Sequence, residues 1–247
     1  MDIKALRLEA RFSLATNQLG YCGRGTAGKK FKKCITTGKC AGVEEEVTKF
    51  IVLYPYLKTL AHITGYGVFS YPVIEAFWIG NDELKKAKPD DFEVLLSNFS
   101  AQGVPKWLTD ELGKDKPKVF IPHHLFQVLF VGVGRASGAV PFDLNSINNC
   151  MIRWGGVTSV NEKERKLEVK LNGLGLSAEK YNLEQKIESF SYLPELVPGI
   201  SKGFVVAVHW GVVLKILNTG ETERLSFWTN KVLENVTSGY PKPVSGK

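Results

Sequence analysis

The sequence predicts an α+β protein: a mostly helical N-terminal region, then a small β-barrel of short strands carrying a C-terminal helix. Three patterns predict it. Before residue 150, apolar side chains recur three and four positions apart, the spacing of a helix with one buried face. Beyond it, Leu167, Val169 and Leu171 alternate with Lys166, Glu168 and Lys170, the period-two pattern of a half-buried strand. From Glu221 to Val236 the helical spacing returns, with Leu225, Trp228, Val232 and Val236 on one face. The division this implies is a helical domain over 1–149, a barrel with its helix over 150–238, and a flexible tail over 239–247. At 247 residues, 44% hydrophobic and 23% charged, the chain suits one or two globular domains and excludes collagen-like and disordered classes.

The first clear helix runs from Val47 through Phe50, Ile51, Tyr54 and Leu57 to Ala61. Gly65 stops it, and Pro55 kinks it or splits it in two, because proline lacks a hydrogen-bond donor and crowds the preceding turn. Ser70 is an N-cap for the next helix, Pro72 sits in its first turn, and Val73, Ile74, Phe77 and Trp78 form its inner face. Lys85, Lys86 and Lys88 suit its C-terminal end. Shorter helices are expected over Asp90–Phe99 and Pro105–Leu112, and from Pro122 onward. In the barrel, Val157–Val160 joins the next strand through the polar turn Asn161–Arg165, as a hairpin. Phe204, Val206 and Val208 alternate with Val205 and Ala207, which are also apolar, as in a strand buried on both faces.

The net charge of +7 is concentrated: Arg24, Lys29, Lys30, Lys32, Lys33 and Lys39 precede Cys40 with no acidic residue among them. No stripe of aromatics runs through this segment, so it reads as a basic surface loop, and nucleic acid is not expected as a partner. No apolar run reaches the roughly 20 residues of a membrane-spanning helix, and the first residues lack the apolar stretch of a secretory signal. No membrane insertion and a cytoplasmic location are therefore expected. In that compartment Cys22, Cys34, Cys40 and Cys150 stay reduced, with Cys34 and Cys40 in the flexible basic loop.

Two nucleotide-binding patterns fail on inspection. Gly23 to Lys30 nearly spells a phosphate-binding loop, but Lys30 stands where a hydroxyl must hold magnesium. Gly132-Val133-Gly134 lacks the third glycine of a dinucleotide fingerprint, where Ser137 stands, and Pro141 blocks the helix that should follow. Cys22 is a better candidate: it lies between Gly20 and Gly23 beside the positive charges, which should depress its thiol pKa and make it reactive or a metal ligand. His123 and His124 head an apolar helix, and adjacent helical residues point about 100° apart. One of them faces inward, as a hydrogen-bonded core group or as a ligand.

The most specific pattern is Cys150-Met151-Ile152-Arg153-Trp154-Gly155-Gly156-Val157, then strands, then Gly203-Phe204-Val205-Val206-Ala207-Val208-His209-Trp210-Gly211, then a helix. This order resembles the HypC/HupF family of hydrogenase-maturation chaperones, which begin on a cysteine strand, carry a valine-rich strand ending in His-x-Gly, and finish with a helix. The resemblance implies an OB-like barrel and an accessory protein that is not itself an enzyme. Its role would be to carry or dock an iron centre, with cyanide and carbonyl ligands, for nickel–iron hydrogenase. Its partners would be another maturation factor or the hydrogenase large subunit. Carried over by position, Cys150 and His209 hold the iron, a soft thiolate supplemented by an imidazole. The sequence departs from the family where Cys150 is internal rather than N-terminal, where Trp154-Gly155 replaces proline-glycine, and where Phe204 replaces an acidic or polar residue. The helical region, through Leu19–Gly23, Phe77-Trp78-Ile79-Gly80 and His123-His124, is similar to an uncharacterised prokaryotic family, which implies no activity. The alternative expectation is a metal-dependent enzyme whose site between the two domains uses Cys22, His123 or His124, and Cys150. A third is an interaction module whose basic loop docks an acidic protein.

Overall fold

A computed structural model describes residues 1–23, 27–178 and 180–236. Its α+β chain divides into two units, Met1–His124 with Gly134–Pro141, and Leu125–Val133 with Phe142 onward. The apolar stretch 125–133 and residues 142–149, which the sequence groups with the helical region, are thus counted with the strands.

The first unit contains α1 (Ile3–Gln18), α2 (Gly28–Thr37), α3 (Val43–Val47), α4 (Leu53–Thr64), α5 (Tyr71–Trp78), a 3-10 turn over Asp82–Lys86, α6 (Asp91–Gln102) and α7 (Lys106–Lys114). Asp2 caps α1, accepting from the Ala5 N–H at 3.0 Å, and its other oxygen accepts from the Tyr71 N–H at 2.9 Å, so one carboxylate ties the starts of α1 and α5. Aromatic packing fills the centre, with the Tyr56 ring 5.6 Å from Phe77 and 5.8 Å from Phe99.

Several expectations need correction here. The pattern from Val47 to Ala61 is split in two, as one expected alternative had it, but over residues 48–52 and not at Pro55: α3 ends at Val47 and α4 starts at Leu53. Pro55 falls in the first turn of α4, where no intrahelical donor is required, so it starts a helix instead of kinking one. Gly65 stops α4 as expected, in the left-handed conformation at φ 75°. The helix after Ser70 ends at Trp78, with Gly80 at φ 88° behind it, so Lys85 and Lys86 belong to the separate 3-10 turn. The basic segment is not a loop over its described part: it is α2, with Lys29, Lys32 and Lys33 outward and Phe31, Cys34 and Ile35 buried, while Arg24 lies outside the described residues. Cys34 and Cys40 are not reduced but form a disulfide. The reason is local: Gly38, left-handed at φ 72°, turns the chain after α2 and returns Cys40 to Cys34.

The helix expected from Pro122 starts two residues later as α8 (His124–Phe126) and continues as a π-helix over Gln127–Gly132 into the second unit. There follow α9 (Leu144–Cys150), β1 (Arg153–Asn161), β2 (Lys166–Ser177), β3 (Lys180–Ser191), β4 (Val205–His209), β5 (Val212–Leu217) and α10 (Thr219–Asn235). The strands form one antiparallel sheet in the order β3-β2-β1-β4-β5. It is open, not the expected closed barrel: β3 pairs along its whole length with β2, β5 pairs with β4, and these two strands end the sheet without pairing with each other. Register breaks at Val157/Ser159 and Ala207/Val208 bend the sheet around a core of Val157, Leu167, Val169, Leu171, Val206 and Val208. Tyr192, Val197 and Ile200, from the link between β3 and β4, join that core. A capping box starts α10, the Asn218 side chain accepting from Glu221 N–H and the Glu221 carboxylate accepting from Asn218 N–H. The expected tail over 239–247 lies outside the described residues.

Candidate metal centre

Within the second unit, Cys150 is the last residue of α9 and His209 the last of β4. Arg153 at the head of β1 stands opposite Val208, so in an antiparallel pair the residues just before Arg153 run toward His209 and the turn that follows it. That turn, Trp210-Gly211, has positive φ at both positions, 49° and 72°, as a two-residue hairpin turn requires. Its Trp210 N–H donates to the Asn149 carbonyl at 2.8 Å, which pins the turn to the end of α9. The other anchor of α9 is Asn148, whose side chain accepts from the Leu174 N–H at 2.7 Å and donates to the Leu174 carbonyl at 2.9 Å. Held from both sides, a Cys150 Sγ and a His209 ring nitrogen lie within 4.8 Å of one another. Both residues are buried, at 6% and 0% exposure. A thiolate and an imidazole at this spacing can share a transition metal, since one is a soft and the other a borderline donor.

The remaining candidates sit in the first unit. His124 is buried against two aromatic rings, 4.5 Å from Trp78 and 5.4 Å from Phe77 between centroids. His123 is buried as well, so both members of the pair face inward rather than one. Loss of hydration lowers the His123 pKa to about 3, opposed by its hydrogen bond to the Ile79 backbone. It is a neutral core histidine. Cys22 follows α1 with its carbonyl accepting from the Asn17 side chain at 3.3 Å. The residue is half-buried, but its thiol is desolvated, and burial pushes its pKa up to about 11, opposite to the expected depression. The positive charges expected to depress it are spent elsewhere: Lys30 pairs with Glu46, and Lys29 and Lys33 point outward from α2. Among the described residues, no group of three possible metal ligands includes Cys22 or His123.

One chemically pointed residue escaped the sequence reading. Glu9, in the middle of α1, is fully buried and accepts from the Ser13 hydroxyl at 2.5 Å and the Trp78 indole N–H at 2.8 Å. Desolvation raises its pKa from 4.5 to about 7, and the two hydrogen bonds oppose the rise. A single acid in a helix reads in sequence as a solvated group, so only the fold reveals its burial.

A family model described as "Family of unknown function (DUF6390)" matches residues 2–241. The chain belongs to this family. The DUF6390 match runs through both units, so helices and sheet together are a single family architecture. No curated protein and no solved structure matches the chain. Among the described residues, no helix is long and apolar enough to cross a membrane.

Proposed function

We propose that this protein is an accessory factor in hydrogenase maturation that carries an iron centre on Cys150 and His209. The observation that carries the reading is the approach of those two side chains to within 4.8 Å. They are the two positions that the resemblance to the HypC/HupF chaperones assigns to iron. The order of elements also supports it: a cysteine leading into the first strand, a valine-rich strand ending in histidine, and a closing helix. The bent five-stranded sheet is then an opened form of an OB-like barrel.

Iron is cargo in this scheme, and the chain's own part is to hold it and release it. A thiolate and an imidazole grip a transition metal more weakly than a closed four-ligand cage, which suits a carrier. The burial of Cys150 and His209 keeps the thiolate and imidazole from bulk water and oxidants. The cargo's partner is a further maturation factor or the hydrogenase large subunit.

The test is affinity purification of the full chain from its native cell without oxygen. Iron and a hydrogenase-related partner should accompany the wild type. Cys150→Ala and His209→Ala should each lower bound iron at least tenfold while circular dichroism stays unchanged. Purification with neither iron nor a hydrogenase component, from a strain where Cys150→Ala is fully functional, would overturn the proposal.

A further inference from the structure

A second feature of the sheet unit, independent of the metal reading, is a pocket of about 600 Å³ where the far half of the β2–β3 hairpin meets α9. Its size is that of a small-molecule or short-peptide site. Its walls are built by two glycines. A Cβ at Gly173 would lie 2.9 Å from the Asn148 side-chain oxygen, and one at Gly175 would lie 1.9 Å from a Glu184 carboxylate oxygen. Glycine at both positions therefore lets Asn148 and Glu184 lie across β2, and Asn148 is fixed there by its two bonds to Leu174.

In this pocket Arg153 is 7% exposed, and its Nη1 donates to Glu188 at 2.6 Å. That bond uses one of five guanidinium N–H donors. None of the Arg153 nitrogens is buried without a partner, so the rest of the fork faces the pocket it lines. A desolvated arginine with donors to spare is a receptor for a second carboxylate.

The surrounding charge narrows the class. Arg153 and Lys186 are balanced by Glu184 and Glu188, so the pocket is neutral overall. A doubly charged phosphate would be repelled by the two glutamates, whereas a single carboxylate can share Arg153 with Glu188. The side-chain amides of Asn145 and Asn149, also in the lining, suit an amide group next to that carboxylate. We propose that this pocket binds a carboxylate flanked by a peptide amide, the chemistry of a polypeptide C-terminus or of a small N-acyl amino acid.

The test follows nitrogen-15 spectra of the full chain as four probes are added: acetyl-triglycine with a free carboxylate, the same peptide as a terminal amide, acetyl-glycine, and inorganic phosphate. The free-acid peptide should shift the Gly173, Gly175 and Asn148 resonances saturably, and the amide should bind at least tenfold more weakly. Acetyl-glycine binding as well as the peptide would identify a small acid as sufficient; a clear preference for the peptide would identify a chain terminus. Arg153→Lys keeps the charge but loses the fork, and should cost the acid at least tenfold in affinity. If that variant fails to fold, the comparison of acid with amide on the wild type decides alone. Equal binding of acid and amide, tighter binding of phosphate, or no shift at these residues would overturn the proposal.

Discussion

Glu9 shows what one buried side chain does to the stability of the helical unit. Its pKa rises from 4.5 to about 7 on folding, so between those values the folded chain holds a proton that the unfolded chain has released. Stability must therefore fall as pH rises through that window, by about 3 kcal/mol in all at 1.36 kcal/mol per pKa unit. Glu9→Gln keeps an oxygen that can accept from Ser13 and Trp78 and has no proton to lose. The wild-type stability minus that of the variant should fall by about 3 kcal/mol from pH 4.5 to 7 and then level off, and His123, common to both proteins, drops out of the difference. Urea unfolding followed by tryptophan fluorescence at several pH values measures it. A difference that does not change with pH would mean that Glu9 ionises at its ordinary pH. Glu9 was hidden from sequence reading for the same reason Cys22 was misread. The pKa of each is raised by burial, and burial is supplied only by the fold.

At the scale of elements, α2 and its disulfide form the least anticipated piece. Cys34 and Cys40 close a short loop around Gly38, and closing a loop of that length should stabilise the folded chain by about 2 kcal/mol through the entropy lost by the unfolded one. Reduction, or Cys34→Ser with Cys40→Ser, should therefore lower the urea midpoint of the helical unit while leaving the sheet unit's circular dichroism intact. An unchanged midpoint would show that the packing of Phe31 and Ile35 alone holds α2 in place. Elements with strong local signals were legible. Gly65 and Ser70 mark real helix ends, the alternation of Leu167, Val169 and Leu171 is the buried face of β2, and Leu225, Trp228, Val232 and Val236 do line the inner side of the last helical segment. What failed depended on distant partners. Residues 47–61 keep helical spacing across the break at 48–52, because the turn there buries Phe50 as a helix would. The open edge of the sheet is a matter of which strands pair, which spacing does not state, and β3, whose buried positions are few, carries no clean alternation to announce its 12 residues. Of the candidate site, Cys150 and His209 were legible as a pair only through their order in a resembling family. The approach of their side chains depends on the Trp210–Asn149 hydrogen bond, which no spacing rule predicts.

Over the whole molecule, the path of the chain matters more than the domain count. It passes from the first unit to the second at His124/Leu125, back at Val133/Gly134, and over again at Pro141/Phe142. No single cut can therefore separate the two units. A break within 134–141 leaves the N-terminal piece holding 125–133, which belongs with the sheet and is buried at Phe126, Val128 and Leu129 to below 1% exposure. Removing those side chains from the sheet unit would return large apolar surfaces to water, at roughly 25 cal/mol per Å². Ser137, Gly138 and Ala139 are exposed, so a protease recognition sequence inserted after Gly138 should be tolerated and cut. The nicked protein should still elute as one species in gel filtration, and its two pieces should separate only in urea. Recovery of two independently folded pieces in buffer would show that 125–133 is dispensable to the sheet unit, and that the boundary lies near residue 149, where the change of hydrophobic period first put it.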